Sequence, residues 1–127
     1  MILPILFIAP SEGRDRGVYT SEPIDAGTTV EISPVIVMDQ RERELLDQTT
    51  LHDYIFEWGA GQPFCCMALG YVPVYNHSYD SSCEYVMDFE HRTIHIVTMR
   101  AIPAGEELTI NYNGEWNDHK PLWFDAK

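Results

Sequence analysis

A chain of 127 residues with 45% hydrophobic content is sized for one domain with a core of its own, which excludes a two-domain enzyme and an extensively disordered chain. Twenty acidic against eight basic side chains give a net charge of −12; this field repels phosphate backbones, arguing against direct nucleic-acid binding, and suits a basic polypeptide partner, with solubility as its plainer use. Eight Pro and eight Gly, scattered along the chain, favour many turns and short strands over long helices.

Residues 1–9 are apolar but carry no basic leader and reach Pro10-Ser11 too soon to cross a bilayer, so they read as a buried strand and not as a signal peptide. No other stretch approaches transmembrane length. Ser11 to Gly17 is a polar turn and Val18-Tyr19-Thr20 resumes an extended run. Glu22 to Thr28 is a second turn. Thr29-Val30-Glu31-Ile32 and Val35-Ile36-Val37-Met38 read as two β-branched strands broken at Pro34. Asp39 caps a short surface helix running to Asp47. Tyr54 to Trp58 reads as an aromatic strand ending at Gly59, and residues 64–70 as strand or short helical turn. Beyond Asn76, residues 84–89 and 93–99 form a hairpin around Glu90-His91-Arg92. Ile102 to Glu106 is a turn, and Leu108 to Tyr112 the last clear strand. The turns Pro23-Ile24-Asp25-Ala26-Gly27 and Ile102-Pro103-Ala104-Gly105 are alike, as turns rather than as repeats of a unit.

The three cysteines, at 65, 66 and 83, are odd in number and form no Cys-x-x-Cys pair, which points to a reducing, intracellular setting, cytoplasmic or nuclear. A nucleophilic Cys65 or Cys66 has no supporting motif. His91 and His95 share a strand face but lack Cys partners, so they read as solvent-facing and no metal site is expected.

Two stretches mix hydrogen-bonding groups with apolar residues that fix their direction: Asn76-His77-Ser78, and Glu106-Glu107-Leu108-Thr109-Ile110-Asn111-Tyr112. Alone, the first reads as a polar turn with a left-handed Asn, and Tyr112 as a half-buried strand tyrosine. Glu106 and Glu107 read as turn and strand-start residues rather than an acid/base pair. Together with Gly13-x-x-x-Gly17-Val18-Tyr19, with Pro23-Ile24-x-Ala26-Gly27 before Val30-Glu31, and with Leu69-Gly70, they resemble in order and separation the motifs of SET-domain protein lysine methyltransferases. The resemblance covers nearly the whole chain. It implies a mainly β fold, the β-clip of several small sheets with a C-terminal pseudoknot and one or two short helices, as a single SET domain over residues 1–127. The family's zinc-binding Cys-rich C-terminal segment is not expected, because no cysteine follows Cys83.

The resemblance also implies methyl transfer from S-adenosylmethionine to a lysine ε-amine. It assigns the cofactor to the Asn76 side chain, the His77 main chain, Tyr112 and the segment Arg14, Asp15, Arg16 and Gly17, where glycine lets backbone come close. The resemblance makes Tyr112 the expected catalytic tyrosine. Tyr85 stands where a Phe or Tyr sets how many methyls fit, implying mono- or dimethylation. Tyr54 and Trp116 are channel-wall or core residues, and Trp116, Trp123 and Phe124 either close the channel or pack the C-terminus. Cys83 holds the place of a family Cys, while Ser81 and Ser82 replace the Pro-Asn that often precedes it. The expected partner is a lysine-rich protein, histone-like or ribosomal. The small target-selecting surface is one that a homodimer would complete. The other reading is a catalytically silent SET-like β-clip module that binds a peptide or carbohydrate.

Overall fold

The computed structural model describes residues 1–59 and 64–112. Within them the chain forms β1 (Leu6–Pro10), β2 (Arg16–Thr20), β3 (Thr29–Met38), α1 (Gln40–Leu46), β4 (Phe56–Glu57), β5 (Cys65–Ala68), β6 (Asn76–His77), β7 (Cys83–Asp88), β8 (Thr93–Thr98) and β9 (Glu107–Ile110). Short 3-10 helices occupy Thr50–Asp53 and Val72–Val74. The strands make two small sheets, one in the order β1-β2-β9-β6 and the other β4-β5-β3-β8-β7. This is the mainly β arrangement of small sheets expected from the sequence.

Alternation drives the best-defined part. Along β8, Ile94, Ile96 and Thr98 are buried and the residues between them are half-exposed, the period of a strand with one face on the core. Strand β7 pairs with it antiparallel from Cys83–Thr98 to Asp88–Thr93, and Arg92 takes the left-handed backbone of the tight turn, φ 52°. At α1 the Asp39 side chain accepts from the Glu42 N–H at 2.9 Å while Glu42 reaches back to the Asp39 N–H at 3.0 Å, a reciprocal cap that starts the helix. The two similar turns face each other: Ile24 and Ile102 exchange main-chain hydrogen bonds of 2.9 and 2.8 Å, and both are buried.

Several boundaries differ from the sequence expectation. The first strand begins only at Leu6, with Ile2 making an isolated bridge to Glu31. Pro34 does not break β3. Residues 29–34 of that strand pair with β8 and residues 35–38 with β5, so the missing proline N–H falls where the ladder changes partner, and the Pro34 carbonyl accepts from Leu69 N–H at 3.0 Å. The irregularity lies earlier, between Thr29 and Glu31, where a bulge turns both Val30 and Glu31 inward. Of Tyr54 to Trp58 only Phe56–Glu57 is strand. Asn76 is neither turn nor left-handed: Arg92 is the one non-glycine with positive φ among the described residues. Instead Asn76 and His77 pair parallel with Thr109 and Ile110. That pairing brings the Asn76 segment beside the Tyr112 segment, and Tyr112 itself lies just past the end of β9.

Candidate functional site

The site forms where β6, β9, the turn before β2 and the start of β2 meet. Strand β9 is held between β2 and β6, with Leu108 and Ile110 wholly buried. These anchors leave Glu107 at one end of the strand and Tyr112 beyond the other.

The Asn76 amide donates to the Arg16 carbonyl at 2.9 Å and to Glu107 Oε2 at 2.6 Å. Glu107 Oε1 also accepts from Ser11 Oγ at 2.9 Å, so one carboxylate ties the N-terminal turn to β6. Gly17 lies against these side chains: a Cβ at this position would collide with Glu107 and approach Asn76 Nδ2 to 2.9 Å. Arg14 Nη2 donates to the His77 carbonyl at 2.9 Å. Asp15 and Arg16 are exposed and lie 3.8 Å apart as an ion pair, and it is the Arg16 main chain that reaches Asn76.

His77 is buried. Its Nδ1 accepts from the Tyr112 N–H at 3.1 Å, which puts the proton of the neutral ring on Nε2. Nε2 is buried without a hydrogen-bond partner among the described residues. Burial, and then the Arg14 guanidinium, hold the imidazole below its ordinary pKa, so it is neutral at pH 7. The ring packs edge-on against Tyr79 at 4.4 Å and tilted against Tyr112 at 5.2 Å.

The Tyr112 hydroxyl donates to the Tyr75 carbonyl at 2.6 Å. Burial pushes this phenol up to about 12, with Arg14 pulling it down and Tyr54 and Glu107 pushing it up. It therefore stays protonated at neutral pH and cannot serve as a base there. The Tyr85 hydroxyl donates to the Tyr112 carbonyl at 3.2 Å; burial, then Glu57 and Cys66, push it to about 12 as well. Phe56 meets both rings edge-on, at 5.2 Å from Tyr85 and 6.3 Å from Tyr112.

The structure thus brings Arg14, Gly17, Asn76, His77, Tyr85 and Tyr112 together around β6 and β9. Tyr54 sits at the C-terminal end of the first 3-10 helix and is partly exposed, close enough to act electrostatically on Tyr112. Trp116, Trp123 and Phe124 lie outside the described residues. Cys65 and Cys66 are wholly buried, burial raises both thiols, and Cys66 is pushed to about 12; neither suits nucleophilic chemistry. His91 bonds Asp88 at 2.9 Å and His95 approaches the same carboxylate at 3.9 Å, yet no group of three ligating side chains fit for a metal occurs among the described residues. Sequence reasoning missed the positioning parts of the site, namely Ser11, Tyr75 and the link from Glu107 to Asn76.

The chain belongs to the SET domain family, whose model matches residues 15–113. It is 36% identical over 121 residues to the Schizosaccharomyces pombe histone-lysine N-methyltransferase specific for histone H3 lysine 37, a match covering 94% of this chain and 77% of that one. Its structure is similar to the crystal structure of a candidate histone methyltransferase from Plasmodium falciparum, with a TM-score of 0.68, 25% identity, and 91% and 98% of the two chains covered.

Proposed function

We propose that the protein is a lysine methyltransferase that moves methyl groups from S-adenosylmethionine to the ε-amine of a lysine in a basic, histone-like or ribosomal protein, adding one or two. The observation that carries this reading is the parallel β6–β9 pair, which seats the His77 ring against Tyr112 at one end and ties the Asn76 amide to Glu107 and the Arg16 carbonyl at the other. Membership of the SET domain family and the named activity of the S. pombe relative support it.

The residues present fit the methyl donor. Its amino-acid carboxylate calls for cationic or N–H donors; the Arg14 guanidinium brings positive charge to the His77 carbonyl, and the buried Nε2 of His77 is a donor with no acceptor among the described residues. When bound, S-adenosylmethionine supplies an activated methyl group on a sulfonium. The chain's own task is alignment and exclusion of water. A lysine amine, ordinarily of pKa about 10.4, loses its proton more readily beside apolar walls; Phe56, Tyr85 and Tyr112 provide such walls. The Tyr112 oxygen accepts an amine N–H and so orients the nitrogen lone pair. In this reading residues 1–127 act as one SET domain, in the cytoplasm or nucleus where such a substrate is met. The net charge of −12 speeds encounter with a basic target.

The test is incubation with labelled methyl donor and a panel of basic proteins, with Tyr112→Phe as control. Lysine labelling that the variant loses is the expected result. Labelling no higher than the variant's would sink the enzyme reading and leave the silent peptide-binding module. Stabilisation by S-adenosylmethionine in thermal melts checks donor binding separately.

A further inference from the structure

Glu31 is the third residue of β3, just past its bulge, and has no exposed surface, in a run of β-branched residues. Among the described residues it joins no ion pair. Three hydrogen bonds take the place of a counter-charge: Oε2 accepts from Ser33 Oγ at 2.6 Å and from Tyr71 N–H at 2.8 Å, and Oε1 accepts from the Tyr75 hydroxyl at 3.0 Å. A buried carboxylate is costly to keep, and in some proteins such a group is retained for the geometry it imposes.

The geometry leads to the site. Tyr71 and Tyr75 bracket the 3-10 helix Val72–Val74, so one carboxylate holds both ends of that turn. Tyr75 has no exposed surface; its carbonyl receives the Tyr112 hydroxyl at 2.6 Å, and the next residues are Asn76 and His77. Gly70 packs directly against this cluster, since a Cβ there would run into Ser33 Oγ and Glu31 Oε2. We propose that Glu31 is a positioning residue for the reaction: through the Tyr75 phenol it fixes the Tyr75 carbonyl, and that carbonyl fixes the direction of the Tyr112 hydroxyl. This rests on the reading of Tyr112 as the residue facing the amine.

The test compares the wild type with Tyr75→Phe, Glu31→Ala and Glu31→Gln, and does not depend on turnover alone. Carbon-13 labelling of the tyrosine rings, with Tyr112 assigned by its Phe variant, reports on that phenol in the ligand-free protein. Steady-state kinetics and calorimetric binding of S-adenosylmethionine report on the rest. Tyr75→Phe is expected to shift the Tyr112 signal and lower kcat by roughly 10- to 100-fold, since a misplacement of about 1 Å can cost on the order of 100-fold, with donor affinity kept within about twofold. Glu31→Ala acts in the same direction; should it fail to fold, Tyr75→Phe decides. Glu31→Gln keeps an acceptor for Tyr71 and Ser33 and can donate to the Tyr75 oxygen, so it retains most of the rate. An unmoved Tyr112 signal with unchanged kcat in folded Tyr75→Phe would overturn the proposal, as would equal losses of kcat and donor affinity, the mark of general damage. A shifted signal in a protein that transfers no methyl groups would uphold the positioning link while rejecting the methyltransferase reading.

Discussion

Asn76 and Glu107, on neighbouring parallel strands, are joined by a 2.6 Å hydrogen bond from amide to carboxylate. The bond is charge-assisted and partly buried, the stronger kind. It fixes the amide beside the turn that carries Arg14 and Gly17, and its tightness makes the first prediction.

Gly17→Ala places a methyl group against the Glu107 carboxylate and the Asn76 amide. Overpacking of this kind costs about 1–3 kcal/mol, and urea unfolding should show it. Trimming the obstacle with Glu107→Ala in the same chain should recover part of that loss, since Glu107 contributes the nearest atoms. Strictly additive losses in the double variant would mean that the two residues do not press on each other.

Tyr85→Phe removes the bond from its hydroxyl to the Tyr112 carbonyl, at a cost to stability of about 1 kcal/mol. The larger expected effect is on product. Space vacated beside the amine should move the methylation states seen by mass spectrometry towards higher degrees. An unchanged distribution would remove Tyr85 from the role of counting methyl groups.

How legible was all this in the sequence? The β7–β8 hairpin was, because its alternation is local and its turn short, and so was the Asp39 cap, whose partners lie three residues apart. Asn76, His77, Tyr85 and Tyr112 stood out as polar or aromatic groups in patterned surroundings. Pro34 reads as a break because proline cannot donate to a ladder, whereas β3 changes partner there and the missing N–H falls at the changeover. The strand nature of Asn76–His77 exists only through its pairing with β9. Glu107 looked like an ordinary strand-start residue because its partners Ser11 and Asn76 are 96 and 31 residues away. Glu31 did leave a signal, a single acid inside a β-branched run, but nothing near it in sequence named the Tyr75 phenol 44 residues on.

His77 gives a pH prediction with a definite sign. Its folded pKa is depressed from 6.5 by burial and by Arg14. Above that value both folded and unfolded chains hold it neutral, and its contribution to stability is intact. As pH falls below 6.5 the unfolded chain takes up a proton that folded His77 resists, so stability is lost down through the folded pKa. Protonation at Nδ1 would also end the bond from the Tyr112 N–H. Urea midpoints measured from about pH 8 to 5, where histidines titrate, should fall more steeply for the wild type than for His77→Gln. Parallel curves would show that His77 does not sense pH.

The position of β9 bears on how the molecule comes into being. Glu107–Ile110 is laid between β2 and β6 and supplies Glu107 to Asn76, while the residues just past it supply Tyr112 to His77 and Tyr75. Contacts between segments this distant close slowly, because loop entropy is spent before they form. A nascent chain still holding these residues in the ribosome has none of the three bonds that align the two halves of the site. Alignment of the site therefore waits on the pairing of β9 with β2 and β6.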